Sequence, residues 1–372
     1  MDNTGLVSNI LIAGKTGVGK SAFLNYIYGR DIAASRAGSP VTEEGLHEYE
    51  YYDLERGILF RFFDTWGLEA DRSDEWHEAV LAVVNEREGA LDIADWFHTI
   101  YYLLSINSGR VEAYEIDSIL RPLYEKESNV TIILTNYNPE SAMNVEKAEA
   151  MESVLMRELG IPREAMIRVN SVEKKLLSGQ LVPRLGYDAV WTRNRVNLWQ
   201  DVERKLPLNL TNHLLGELEA WRDRSHRVAE SIRIFTPQAM ISWKARQIEK
   251  DLEATLEAAA ETTEEAMAEG IRHYIQLMER YPLVGAPSDL VFKTRRVELG
   301  FDYSFKRTIR KMVLGMIPGV HFIYWAFKRR TAERGIKKAV NQQYEVVKQT
   351  IEFDVRRGFE EEMRRLGRTL SQ

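Results

Sequence analysis

No cysteine occurs in the 372 residues, so neither disulfides nor thiolate metal sites are available, which suits a reducing compartment. No basic segment precedes the first apolar stretch, and Met1-Asp2-Asn3-Thr4-Gly5 has none of the features of a secretory leader. Strong charge of one sign is also missing. Lys and Arg number 50 against 56 Asp and Glu, a formal net charge of −6 that argues against nucleic acid as a partner. A membrane span is not expected: the apolar stretch 312–327 has 16 residues and is interrupted by Pro318-Gly319. At ~1.5 Å per helical residue it falls short of a ~30 Å hydrocarbon core. What is present is a 44% hydrophobic content, ordinary for a soluble globular protein and spread over enough chain for two or three domains. The expected location is cytoplasmic. Charge is uneven along the chain: residues 293–340 carry thirteen Lys and Arg against three acidic residues, a balance of +10 that leaves −16 for the rest.

The most informative stretch is Gly14-Lys15-Thr16-Gly17-Val18-Gly19-Lys20-Ser21, which fits G-x-x-x-x-G-K-[ST]. It follows the apolar run Asn9–Ala13 and precedes Ala22–Tyr28, the strand, loop and helix order the motif requires. Three glycines let successive backbone N–H groups turn inward and make a nest for a phosphate at the positive end of a helix, with Ala22 the next residue along. Lys20 is placed to reach the β- and γ-phosphates as a catalytic cation, and the Ser21 hydroxyl to take one position on Mg²⁺.

Downstream, the turn-rich segment 38–45 offers Thr42 as a hydroxyl for Mg²⁺ and a backbone N–H for a terminal phosphate, with Ser39 and Ser35 as nearby alternatives. Two runs, His47–Tyr52 and Gly57–Phe63, form a predicted hairpin that delivers Asp64-Thr65-Trp66-Gly67 at its end, 43 residues after Ser21. An aspartate there can hold a Mg²⁺-bound water, and the Gly67 N–H can bond a γ-phosphate. A charged helix, 75–88, follows; its His77 is read as solvent-facing and not as a base. Buried strands are predicted at Thr99–Ile106 and Val130–Leu134, joined by a helix over 111–127, and a last strand at Met166–Val172.

These segments resemble the P-loop GTPases of the translation-factor-related class, in the branch with Era-like, septin-like and immunity-associated members. The matching residues are GKTGVGKS at 14–21, Pro40-Val41-Thr42 and DTWG at 64–67, within a region of about 6–175. The resemblance implies an α/β fold, a mostly parallel sheet with helices on both faces, with GTP or GDP and Mg²⁺ as ligands. It also implies a homodimer through the nucleotide face as a common arrangement. Leu68 stands where many small GTPases have a glutamine that orients the attacking water, so intrinsic hydrolysis is expected to be slow or completed by another group: a second protomer, an activator, or Lys15 or Thr16 of the loop. Thr135-Asn136-Tyr137-Asn138 falls where the family has N-K-x-D. An aspartate accepts two hydrogen bonds from guanine, whereas Asn138 offers one acceptor and one donor, weakening guanine preference by about 2–3 kcal/mol and suiting a xanthine-like edge. Asn136 lacks the lysine stem that packs along the base. Ser171 and Val172 occupy the place of a loop that gives the base a backbone N–H.

Residues 1–206 are read as the nucleotide domain and 207–372 as an all-α domain, with Leu206-Pro207-Leu208-Asn209 as a break between them. Long helices are expected over 211–232, 238–281, 303–315 and 328–368. The stretch 312–327, flanked by lysines and arginines, has two readings: a core helix-turn-helix, or an apolar elbow that dips into an anionic bilayer. The function expected is a GTP-binding protein with slow hydrolysis whose nucleotide state switches the helical domain, dynamin-like or septin-like and peripheral on a membrane. The alternative is a nucleotide-binding module that docks a protein partner with little hydrolysis. An RNA-associated GTPase using 293–340 and a metabolic kinase are weaker rivals.

Overall fold

The computed structural model describes residues 6–29, 32, 46–65, 73–126, 129–175, 181–282 and 332–371. Of these, 6–201 and 273–282 make one compact unit, and 202–272 with 332–371 make another.

In the first unit the β-branched and aromatic runs form strands, as expected of side chains that fit a pleated buried surface. They are β1 (Leu6–Gly14), β2 (Leu46–Asp53), β3 (Ile58–Thr65), β4 (Phe97–Ser105), β5 (Val130–Thr135) and β6 (Met166–Arg168). The sheet order is β2-β3-β1-β4-β5-β6; β2 and β3 are an antiparallel hairpin and the other neighbours run parallel. This is the predicted α/β architecture. Alternation along each strand supplies two faces. Leu11, Phe63, Tyr102 and Leu104 pack with α2 (Ser73–Glu88), α3 (Arg121–Lys126) and α4 (Ala142–Leu159). On the other face α1 (Lys20–Tyr28) brings Tyr28 against Phe60, Phe62 and Trp191 at ring separations of 5.0–5.1 Å.

Three expectations are corrected. The helix read over 111–127 is present from 113 to 126, but a π-helical turn, Glu115–Leu120, interrupts its winding before α3. The last strand stops at Arg168, and Asn170 pairs instead with Leu185, ahead of a short hairpin of β7 (Lys174–Lys175) and β8 (Leu181–Val182) that periodicity could not show in two-residue strands. The third is the break at Pro207: α5 runs unbroken from Tyr187 to Glu230 with the proline inside. Proline costs a helix interior about 3 kcal/mol, but Leu198, Val202, Leu206, Leu210, Leu214 and Leu218 recur every four residues and are all buried. Several such side chains, each worth about 1.5–3 kcal/mol when buried, outweigh one lost hydrogen bond.

In the second unit the remainder of α5, most of α6 (Gln238–Arg280), α7 (Ala332–Thr350) and α8 (Arg356–Ser371) carry apolar stripes at helical spacing. The Trp221 indole donates to the Ile248 carbonyl at 3.2 Å, and Tyr344 donates to Glu219 at 3.1 Å. An all-α C-terminal part is thus present, although the stretches 303–315 and 312–327 lie outside the described residues. Among the described residues no helix is long and apolar enough to cross a membrane.

Candidate nucleotide site

β1 ends at Gly14, where a side chain is excluded twice over: φ is +142°, and a Cβ would stand 2.6 Å from the Leu103 carbonyl of β4. Gly19, left-handed at φ 100°, precedes the first turn of α1, and a Cβ on it or on Gly17 would meet nothing within 4 Å. Loop glycines bordered by open space leave room for an anion. The Lys20 ammonium donates to the carbonyls of Gly14 at 2.9 Å and Lys15 at 3.4 Å, so the loop's own oxygens hold it over the loop. Ser21 and Ala22 lie in the first turn of α1. Thr16 is exposed, while Val18 is buried, and the Val18 carbonyl accepts from the Thr135 hydroxyl at 2.6 Å. Thr135 therefore clamps the loop to the end of β5.

Asp64 pairs in register with Ile12, two residues before Gly14, which sets the carboxylate beside the loop's strand. Ser21 and Asp64 would hold a Mg²⁺ ion whose charge, when bound, screens the terminal phosphates. Thr42 and Gly67, the remaining expected contacts, lie outside the described residues, as does Leu68. No group of three or more metal-ligating side chains occurs among the described residues; one hydroxyl, one carboxylate and retained water is the sparse set magnesium takes with phosphates.

On the base side, Asn136 is the one non-glycine residue with positive φ (60°) among the described residues. Its amide donates to the Ser105 hydroxyl at 3.1 Å, and its oxygen accepts from Lys174 of β7 at 3.1 Å. A lysine thus reaches this place from a different element. Asn138 uses its side-chain oxygen to accept the Glu140 N–H at 3.1 Å, and its own N–H donates to Asn144 at 2.8 Å. Ser171 Oγ is buried without a hydrogen-bond partner among the described residues, and Val172 is exposed. A buried hydroxyl left unpaired, in the loop where a base contact is expected, fits a missing ligand. The donor set as a whole fits a nucleoside polyphosphate with Mg²⁺.

Sequence reasoning missed Lys174, Asn144 and Glu115. The last is a buried carboxylate 3.0 Å from Lys15, and its only signal was a charged residue immediately after Tyr114 on an apolar helix face.

Residues 9–136 match the family model described as "50S ribosome-binding GTPase". No curated protein matches the chain by sequence. Among solved structures, it is similar to Cdc11 from Saccharomyces cerevisiae at 16% identity, over 41% of this chain and 62% of that one, with a TM-score of 0.29. Toc33 from Arabidopsis thaliana, in complex with Mg²⁺ and GMPPNP, is 13% identical over 52% and 85% of the two chains, with a TM-score of 0.35. The LeoA bacterial dynamin GTPase from ETEC is 10% identical over 97% and 90%, with a TM-score of 0.33. Overlaps of this quality carry no argument, and the family model covers about a third of the chain.

Proposed function

Taking residues 9–136 as a P-loop GTPase domain, a guanine-nucleotide-binding module, we propose that the chain is a guanine-nucleotide switch with slow intrinsic hydrolysis. The observation that carries this is Lys20, fixed by the Gly14 and Lys15 carbonyls at the start of α1 in a loop bordered by open space. Backbone N–H groups and the Lys20 ammonium bind and orient the phosphates. Ser21, Asp64 and Thr42 hold Mg²⁺. Leu68 presents no hydrogen-bonding group to water, which leaves the attacking water unoriented and turnover low. The nucleotide state biases the helical part, and two copies associate through their nucleotide faces. Single-turnover phosphate release from bound GTP tests the rate: the expected value is below about 10⁻² s⁻¹, and turnover of 1 s⁻¹ or faster in the isolated protein would contradict slow hydrolysis. Sedimentation with GDP and with a non-hydrolysable GTP analogue tests dimerisation, expected only with the analogue.

Association with an anionic lipid surface from the cytoplasmic side belongs to the same reading. Its support is the connection between α5 and α6, where Ile234 and Phe235 are exposed, Phe235 to 92%, beside Arg233, together with the start of α6, where Met240 and Trp243 are exposed beside Lys244 and Arg246. Apolar and aromatic tips flanked by Lys and Arg suit the headgroup boundary of an anionic leaflet. The stretch 312–327, expected to serve as this elbow, lies outside the described residues. Co-sedimentation with phosphatidylserine vesicles is expected, with at least a fivefold loss in Phe235→Asp/Trp243→Asp; equal recovery with and without vesicles would contradict it.

A further inference from the structure

Glu115 opens the π-helical turn and is 1% exposed. A carboxylate so buried requires compensation, and three elements provide it. Lys15 Nζ of the phosphate loop lies 3.0 Å from Oε2, the Tyr102 hydroxyl of β4 donates to Oε1 at 3.1 Å, and the Glu112 N–H donates to Oε2 at 3.1 Å. The Lys15 ammonium also stands 4.9 Å from the centroid of the Tyr114 ring. Burial works against the charge on Lys15, but its bonds to Glu115 and Tyr114 prevail and hold its pKa above the ordinary lysine value.

Two considerations point beyond stability. A buried ion pair is seldom worth more than apolar residues of the same volume. And the phosphate motif leaves position 15 open, so lysine there is not demanded by the grip itself. The backbone of Lys15 nevertheless belongs to that grip: its carbonyl accepts from Lys20 Nζ at 3.4 Å and from the Val18 N–H at 3.4 Å. A contiguous chain therefore runs from the Lys20 ammonium through the Lys15 peptide and side chain to the Glu115 carboxylate. It ends on a π turn, a wide and uncommon conformation that recurs at functional sites.

We propose that Glu115 is a positioning residue for the phosphate site: through Lys15 it ties the start of the loop to the turn 115–120, so that filling the loop with a nucleoside polyphosphate and ordering residues 112–120 are one coupled equilibrium. This rests on the nucleotide reading above. A phosphate that draws on the Lys20 ammonium weakens its hold on the Lys15 carbonyl, the Lys15 peptide adjusts, and the ion pair passes the adjustment to Glu115. Coupling of this kind is reciprocal, so loosening the tether changes nucleotide affinity by the factor through which nucleotide changes the tether.

The test uses the full chain as wild type, Lys15→Met, Glu115→Gln, the double variant and Lys15→Arg. GDP with Mg²⁺ is titrated by calorimetry, and amide exchange over 112–120 is followed with and without GDP. In the wild type GDP slows exchange over 112–120. Each single variant loses that response and binds GDP about 5- to 10-fold more weakly; the double variant is no worse than either, and Lys15→Arg regains the response. Wild-type affinity and an unchanged exchange response in Lys15→Met, losses that add in the double variant, or a wild type that binds GDP without any response over 112–120 would each overturn the tether alone. A wild type that takes up no GDP sinks the nucleotide reading, and the tether with it. Should Glu115→Gln fail to fold, the contrast between Lys15→Met and Lys15→Arg carries the test.

Discussion

At Asn138 the side-chain oxygen is engaged by the Glu140 N–H, so the group that remains to meet a base is chiefly its amide donor. A donor set against guanine's own N–H groups is repelled, whereas a carboxylate accepts two bonds. Asn138→Asp is therefore expected to raise the preference for GDP over XDP by about 10- to 100-fold, read by competitive titration. An unchanged ratio would mean that base contacts do not pass through this residue. Glycine and Lys20 positions were legible from the motif alone because phosphate binding fixes both the residue types and their spacing. Lys174 and Glu115 were not, because their partners, Asn136 and Lys15, lie 38 and 100 residues away in the chain and meet them only after folding. The bond from the Thr135 hydroxyl to the Val18 carbonyl, across 117 residues, is likewise announced by no local pattern.

At the scale of elements, the strands were the readable part, since long apolar runs buried on both faces have few alternatives. The path of α5 was not, because local chemistry at Pro207 and the four-residue stripe on either side point in opposite directions and only packing decides. Restoring the missing N–H with Pro207→Ala is expected to raise the unfolding free energy by about 1–3 kcal/mol in a denaturant melt; a loss of stability would show that the helix needs the proline's shape. Leu210→Ala removes part of the opposing stripe and should cost about 2–5 kcal/mol.

The C-terminal turns of α6 hold a second element-scale device. Tyr281 shares a hydrogen bond of 2.7 Å with Ser8, and the His273 ring stands 5.1 Å from His98, with Tyr274 and Asp92 as the other titratable neighbours. Burial lowers the His273 pKa, against the opposing pull of a bond to the Val7 backbone and of Asp92. The unfolded chain takes up a proton at this residue below about 6.5, and the folded chain resists until lower pH. Stability contributed here is therefore complete above that value and declines as pH falls through it. Thermal melts from pH 8 to pH 5 should show the decline, and His273→Gln should flatten it; an identical slope in the variant would assign the effect elsewhere.

For the whole molecule, the expectation of a sheet-bearing part and a helical one follows from strand signals that are interspersed with helices up to about residue 170 and give way to helical spacing alone from residue 187. What spacing could not give is that residues 273–282, at the far end of a helix 43 residues long, belong with the first unit. The aromatic side chains that bring them there, Tyr274 and Tyr281, look in sequence like any other apolar positions of an amphipathic helix. The nucleotide switch and the Glu115 tether both depend on the loop at 14–21 holding a nucleoside polyphosphate. The most direct measurement is calorimetric titration of GDP with Mg²⁺ into the full chain and into Lys20→Ala. Saturable binding by the wild type with a loss on the order of 100-fold in the variant is the predicted result, and equal uptake by the two proteins, or none by the wild type, would contradict it.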